Sequence, residues 1–325
     1  MIVSPSAEFS RCYSGSSDPK LPKYDRHWIS LRIVEESRAA SSLRSSLSSA
    51  RRSAGPSGSS RRSSLATCAS SARSTTARPF RVSRTSAPRP SAGEALVRVH
   101  AAAITRDELT WPVDRLPAIP SYELSGVVAG VAPDVREVAE GDEVFALTPF
   151  DRDGVSADYA VVPAVVLAPK PRRLTHVESA ALALAGLSAW QGLFDHGHLG
   201  EDERVRVLGA TGGVGHLAVQ LARGRLAAPD GPYELVFDTV GGDLLAAAAG
   251  SGPRVVSVAA EADGVIYFVV EPNRAQLVEL ARLADSGELK PAIDSVFRIE
   301  DADAAFARVA ERGKRGKVVL RVADE

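Results

Sequence analysis

The residues with the clearest chemical use lie between Arg204 and Arg223, RVRVLGATGGVGHLAVQLAR, where a Val-rich strand pattern runs into Gly209-Ala210-Thr211-Gly212-Gly213-Val214-Gly215 and then into a helical pattern. Val214, Leu217, Ala218 and Leu221 recur at the spacing of one buried helix face. Glycines suit this turn because a Cβ would hold the backbone away from a pyrophosphate, whose charge free amides and the positive end of the helix can neutralise. Ala210 occupies the first glycine position of the usual GxGxxG pattern, leaving AxGxxG. Such a loop alone can be a tight structural turn; the strand before it and the helix after it favour a nucleotide.

Other chemistries find less support. His100, His176, His196, His198 and His216 have no spacing that joins them with a carboxylate as metal ligands, so each is expected to be a solvated or turn histidine and no metal site is predicted. The only cysteines, Cys12 and Cys68, lie near the N-terminus, which argues against a disulfide framework or thiolate site in the rest of the chain and for a reducing, cytoplasmic location. No apolar run approaches the length that spans a bilayer, so a soluble protein without a membrane partner is expected.

These residues need elements to position them. The 325 residues, 45% hydrophobic and 24% charged, suffice for about two domains. The formal net charge of -1 conceals an asymmetry: residues 37–93 hold 11 Arg, 19 Ser and no acid, whereas residues 94–325 hold 23 bases against 35 acids, a net -12. An acidic body makes nucleic acid an unexpected partner for the folded part. The Arg/Ser stretch has neither helical nor strand period, and residues 1–92 are expected to be a disordered extension. It also resembles a transit peptide, but Glu8, Asp18, Asp25, Glu35 and Glu36 precede it; RNA binding lacks aromatic stacking partners, and out-of-frame translation of GC-rich DNA would give the same monotony.

Order is expected from Gly93. EALVRVHA at Glu94–Ala101 alternates as a strand, with Val97 and Val99 on one face, and further Val-rich strands are expected at 124–131, 142–147 and 158–167, a small β-barrel-like unit. Thr175-His176-Val177-Glu178 reads as a capping box opening an Ala-rich helix to about Phe194, after which strands and helices alternate as in a parallel sheet.

The ordered motifs GEALVRVHAAAIT, PAIPSYELSGVV, GDEVFAL, GLSAWQGLF, GATGGVGHLAVQLA, VFDTVGGD and RGKVVL resemble the zinc-independent quinone oxidoreductases of the medium-chain dehydrogenase/reductase superfamily, over most of 94–325. The resemblance implies an α/β protein: a GroES-like β-barrel catalytic domain at 93–170, a Rossmann domain at 171–290, and a segment at 291–325 returning to the catalytic domain. It implies NADPH as cofactor, a quinone or α,β-unsaturated carbonyl as substrate, and a homodimer. Carried over by motif, Ala210, Thr211, Gly212, Gly213, Val214 and Gly215 would hold the pyrophosphate. Thr239, Val240 and Gly241 would cover the cofactor, Ser188 would lie near the nicotinamide, and the backbone of Phe268 and Val269 would meet its carboxamide. Thr105 stands near the position of an Asn that faces the nicotinamide ribose. Zinc-dependent relatives have a Cys and a GHE motif where this chain has Ser121-Tyr122-Glu123. The cofactor carries the difficult chemistry, so no catalytic cluster is required; Tyr122 and Thr105 are candidate proton donors, and no catalytic acid is assigned.

The family pattern is incomplete. Gly215 and Val236 are 21 positions apart, too few for the strand-helix-strand passage that relatives place there, which carries their ribose and 2'-phosphate contacts. Arg223 and Arg225 are possible electrostatic replacements, and a shortened sheet with an exposed apolar edge is expected. The family's opening strands are also missing, with Phe80–Thr85 at most imitating one. The alternative to an active reductase is therefore a non-catalytic remnant with weak or no nucleotide binding; a third reading is an RNA-associated protein acting through the Arg/Ser tail.

Overall fold

The computed structural model describes residues 28–33, 80–85, 88–106, 108–111, 118–228, 231–250 and 253–324. Within the expected N-terminal extension, β1 (Trp28–Ile33) and β2 (Phe80–Thr85) are strands paired antiparallel, Trp28 opposite Thr85 and Ile33 opposite Phe80. This corrects the expectation of disorder for those two segments. Ile29–Ile33 and Phe80–Ser83 alternate apolar and polar residues, and Phe80 stacks on Phe306 of the body at 4.5 Å. The remaining Arg/Ser stretch, with Cys12 and Cys68, lies outside the described residues.

A mixed sheet follows, built from β3 (Glu94–Ile104), β4 (Glu123–Val131), β5 (Glu143–Leu147), β6 (Tyr159–Pro163) and β7 (Ala168–Pro169). Two C-terminal strands, β12 (Ile293–Arg298) and β13 (Lys317–Arg321), complete it in the order β12-β13-β3-β4-β5-β7, with β6 also on β3. Val97 and Val99 are fully buried, in the phase expected of the EALVRV pattern, and join Leu124, Val128, Val144 and Val162 in one core.

A four-stranded parallel sheet forms the second layer system, in the order β11 (Ile266–Tyr267), β10 (Arg254–Ser257), β9 (Leu235–Asp238), β8 (Val205–Leu208). Its helices are α2 (Gly215–Leu221), α3 (Gly242–Ala248) and α4 (Arg274–Ser286), while α5 (Ala302–Ala310) packs on β12 and β13. The chain is thus α/β, with a GroES-like sheet beside a shortened Rossmann-like sheet.

The helix α1 (His176–Trp190) joins the two systems. Thr175 caps it: its hydroxyl accepts from the Glu178 amide while the Glu178 carboxylate accepts from the Thr175 amide at 3.0 Å, as the TxxE spacing implies. Almost every side chain is buried, because α1 packs on β3, β4 and β5 on one side and on α2 and α4 on the other. The Ala-Leu-Ala-Gly composition leaves no polar face and lets both neighbours approach. At its C-terminal end the helix widens into a π-turn over Gln191–Asp195.

The missing passage between α2 and β9 leaves a single remnant of a strand. Leu226 bridges Val205 in parallel, with the Val205 amide donating to Arg225 O at 2.8 Å and the Ala227 amide to Val205 O at 3.0 Å. The β8 edge is therefore not wholly bare, although Leu226 stays 40% exposed. At the opposite edge, Ile266, Tyr267 and Val269 are exposed apolar residues.

Candidate functional site

The glycine loop joins β8 to α2 and is packed backbone on backbone. Gly209 has φ +83°, and a Cβ on Gly215 would collide with the Gly209 carbonyl, so α2 can start this close to β8 only without a side chain there. His216 fastens the loop from beneath. The Ala292 amide donates to its Nε2 at 2.8 Å, which fixes Nδ1 as the protonated nitrogen, and that N–H donates to Gly212 O at 2.8 Å. Burial lowers the His216 pKa, and nearby Lys317 acts in the same direction. His216 is thus a structural pin instead of the solvated residue its spacing suggested. Further corrections concern His100 and His176, which are buried, stack at 4.4 Å and engage Arg98, Ser125 and Glu143. Likewise His196 stacks on Phe268 at 4.4 Å.

The loop after β9 faces the glycine loop. Thr239 donates its hydroxyl to Leu208 O at 2.8 Å, and a Cβ on Gly209 would meet Thr239 and Val240, so Thr239 and Val240 lie against Gly209, whereas Gly241 faces Ala259 and Ala260. Asp238, fully buried, holds this turn: it accepts the amides of Val240 at 3.2 Å and Gly241 at 3.1 Å and the hydroxyl of Ser257 at 2.7 Å. Ser257 in turn accepts from the amides of Ala259 and Ala260. Phe268 directly follows β11; its amide donates to Ser257 O and its ring is in the core, whereas Val269 is 57% exposed.

A buried polar cluster lies across from these loops. Lys317, at the start of β13, runs its stem beside Gly213, with its Cδ 2.8 Å from where a Cβ would stand, and Gly316 bridges Gly212 and donates its amide to Thr211 O at 3.0 Å. Its ammonium donates to Glu123 Oε1 at 2.6 Å and to Thr105 Oγ1 at 3.2 Å; the Thr105 hydroxyl donates to the same Glu123 oxygen at 3.0 Å. Lys317 is 6% exposed and Glu123 1%, while Thr105 is half-buried. Glu108 supports the cluster, accepting from the amides of Thr105 at 3.2 Å and of Ser121. Burial pushes the Glu108 carboxyl up to about 7, the two amides oppose this, and the Glu123 charge adds to it. Ser121 is held at φ +65°, a conformation costing about 1 kcal/mol for a non-glycine residue, with its hydroxyl accepting from Ser156 at 2.8 Å. The neighbouring Tyr122 forms an aromatic trio with Trp111 and Phe150, centroids 5.0–5.9 Å apart.

The structure therefore brings Thr105 to the glycine loop through Lys317, and brings Thr239 and Val240 to it directly; Gly241 is not shown against it. Ser188 sits inside α1, fully buried, with a hydroxyl that has no hydrogen-bond partner. Glu108, Glu123 and Lys317 were not identified in the sequence, since a carboxylate in a loop and a Lys in RGKRGK both read as solvated charge. Arg223 and Arg225 follow α2 near the start of β8, where Arg225 donates to Leu199 O at 3.3 Å.

Two features fit a dinucleotide: the close approach of α2 to β8, which a Cβ on Gly215 would prevent, and the orphaned Ser188 hydroxyl. Among the described residues no group of three or more His, Cys, Asp or Glu could hold a metal, and no helix is long and apolar enough to cross a membrane.

Residues 91–172 match the alcohol dehydrogenase GroES-like domain family and residues 208–320 the zinc-binding dehydrogenase family. The chain is 30% identical over 302 residues to a protein of Arthroderma benhamiae named "Probable zinc-binding oxidoreductase, mitochondrial", covering 73% of this chain and 91% of that protein. It is 28% identical to the 2-methylene-furan-3-one reductase of Solanum lycopersicum, covering 73% and 74%. Among solved structures, an alcohol dehydrogenase superfamily protein from Novosphingobium aromaticivorans superposes with a TM-score of 0.67 at 26% identity, covering 76% of this chain and 97% of that one. With the GroES-like sheet, the glycine loop and the ordered motifs in place, the chain belongs to the medium-chain dehydrogenase/reductase superfamily of nicotinamide-dependent oxidoreductases, as a quinone oxidoreductase-like member.

Proposed function

We propose that the protein is a cytoplasmic, zinc-free, NADPH-dependent reductase of quinones or α,β-unsaturated carbonyls. The observation that carries this reading is the tightly packed glycine loop facing Thr239 and Val240, with Lys317 beside Gly213 and hydrogen-bonded to Thr105 on the other sheet. The backbone of Ala210–Gly215 would hold the pyrophosphate, Thr239–Gly241 would cover it, and Ser188 and the Phe268–Val269 backbone would meet the nicotinamide end. NADPH, when bound, supplies the hydride. The chain's own part is to position a flat acceptor, exclude water and place a proton. The aromatic trio Trp111, Tyr122 and Phe150 offers an apolar wall beside Thr105 and Glu123, which suits a conjugated ring or enone. Ser121-Tyr122-Glu123 in place of a GHE motif supports zinc-free chemistry. A homodimer is part of the reading, motivated by the exposed apolar β11 edge.

The test is acceptor-dependent oxidation of NADPH by the full chain, with 9,10-phenanthrenequinone and an enone offered separately and sedimentation run in parallel. Oxidation that requires an acceptor and survives chelator treatment supports the proposal. A folded chain that oxidises neither NADPH nor NADH with any acceptor overturns it.

A further inference from the structure

We infer that Thr105 is the proton donor of the reaction and that the buried Lys317–Glu123 pair resupplies it. The inference rests on the reading of the chain as an enone reductase. Enone reduction adds hydride to the β-carbon and leaves an enolate whose α-carbon must take a proton. Carbon is protonated slowly by bulk water, so a donor held over that atom is worth about 10²-fold or more in rate.

Three observations point to Thr105. First, Thr105 is the half-buried member of a cluster whose other two members, Lys317 and Glu123, are nearly fully enclosed. In this inference the substrate meets the cluster at Thr105, the member that is not enclosed. Second, the hydrogen bonds run in the right sense. The Lys317 ammonium donates to Thr105 Oγ1 at 3.2 Å, so a proton leaving the threonine oxygen can be replaced from behind without solvent entering. Third, Glu123 Oε1 accepts from both Lys317 and Thr105, so the threonine O–H can rotate away towards a substrate while that oxygen keeps its ammonium partner at 2.6 Å. The threonine backbone is fixed meanwhile by Glu108, which accepts its amide at 3.2 Å.

The step balances as follows. The enolate electron pair forms a bond from the α-carbon to the Thr105 hydroxyl proton, and the Thr105 O–H bond breaks. A Lys317 N–H bond breaks as its proton passes to the threonine oxygen. Lys317 is left as a neutral amine and regains a proton from water before the next turnover. Glu123 is a positioning residue, holding the Lys317 ammonium by the 2.6 Å hydrogen bond. Glu108 is likewise a positioning residue.

The experiment uses the full chain with NADPH and 2-methylcyclohex-2-enone in D2O, reading kcat, NADPH Kd and the face of the α-carbon that carries deuterium. The wild type is expected to deuterate one face. Thr105→Val is expected to lower kcat at saturating NADPH about 10²-fold and to give product labelled on both faces; Thr105→Ser restores a single face. Because Lys317→Met alone strands a buried carboxylate, the resupply arm uses Lys317→Met with Glu123→Gln, expected to slow turnover at saturating NADPH. Single-face labelling at near wild-type kcat in Thr105→Val overturns the inference while the reductase reading stands. A wild-type chain that reduces neither this enone nor phenanthrenequinone overturns both.

Discussion

Replacing Glu108 by Gln should reverse sign with pH. The Glu108 carboxyl is pushed up to about 7 from an ordinary 4.5, chiefly by burial. The folded state therefore holds this proton more tightly than the unfolded chain does. Its stabilising contribution is complete below pH 4.5, declines as pH rises towards 7 and is gone above it, so the wild type should lose roughly 2–3 kcal/mol of stability between pH 5 and pH 8 from this group. In Glu108→Gln the side-chain carbonyl can still accept the Ser121 amide, but the NH2 cannot accept the Thr105 amide, a loss of about 1 kcal/mol at every pH. The variant should then be less stable than the wild type by about 1 kcal/mol at pH 5 and more stable by roughly 1–2 kcal/mol at pH 8. His216 works in the opposite direction: its lowered pKa costs stability as pH falls below about 6.5, so absolute curves mix the two groups. The difference between wild type and variant cancels His216. Urea denaturation followed by tryptophan fluorescence at pH 5, 6, 7 and 8 gives that difference. A gap that stays constant or widens in favour of the wild type as pH rises refutes a proton held on Glu108.

Three further outcomes follow from the geometry. Gly215→Ala forces β8 and α2 apart and should abolish nucleotide binding, measured by NADPH fluorescence; unchanged affinity would contradict the close approach at Gly209. Ser257→Ala removes the hydroxyl that joins Asp238 to the amides of Ala259 and Ala260, and should cost about 1–3 kcal/mol in a denaturant titration while loosening the Val240–Gly241 turn. Lys317→Met leaves Glu123 enclosed without a cation and should destabilise by about 3–5 kcal/mol, with part of the loss recovered on adding Glu123→Gln; no recovery would mean that the pair contributes by packing alone.

Local patterns in the sequence carried much of the fold. The alternation of EALVRV, the Thr175–Glu178 capping box and the AxGxxG turn are each settled within a few residues, so the strand phase, helix start and loop could be read directly. The polar cluster could not. Glu123 and Lys317 stand 194 positions apart and meet only because β13 returns to pair with β3, a long-range register that no short pattern encodes. The pairing of β1 with β2 was hidden in the same way, by about fifty intervening residues without strand or helical period. His100 and His176 read as ordinary polar residues, because their stacking depends on α1 lying across β3. Arg223 and Arg225 show the converse: near the glycine loop in sequence, they are carried to the far end of β8 by the length of α2.

The central claim is that the glycine loop is a nucleotide cradle despite the absent strand-helix-strand passage. Titrating the full chain with NADPH, and separately with NADH, while following nicotinamide fluorescence tests it most directly. Saturable NADPH binding in the micromolar range, tighter than NADH and lost in Gly215→Ala, is the predicted result. A folded chain that binds neither nucleotide would contradict it, and would leave Gly209–Gly215 as a structural turn in a non-catalytic member of the family.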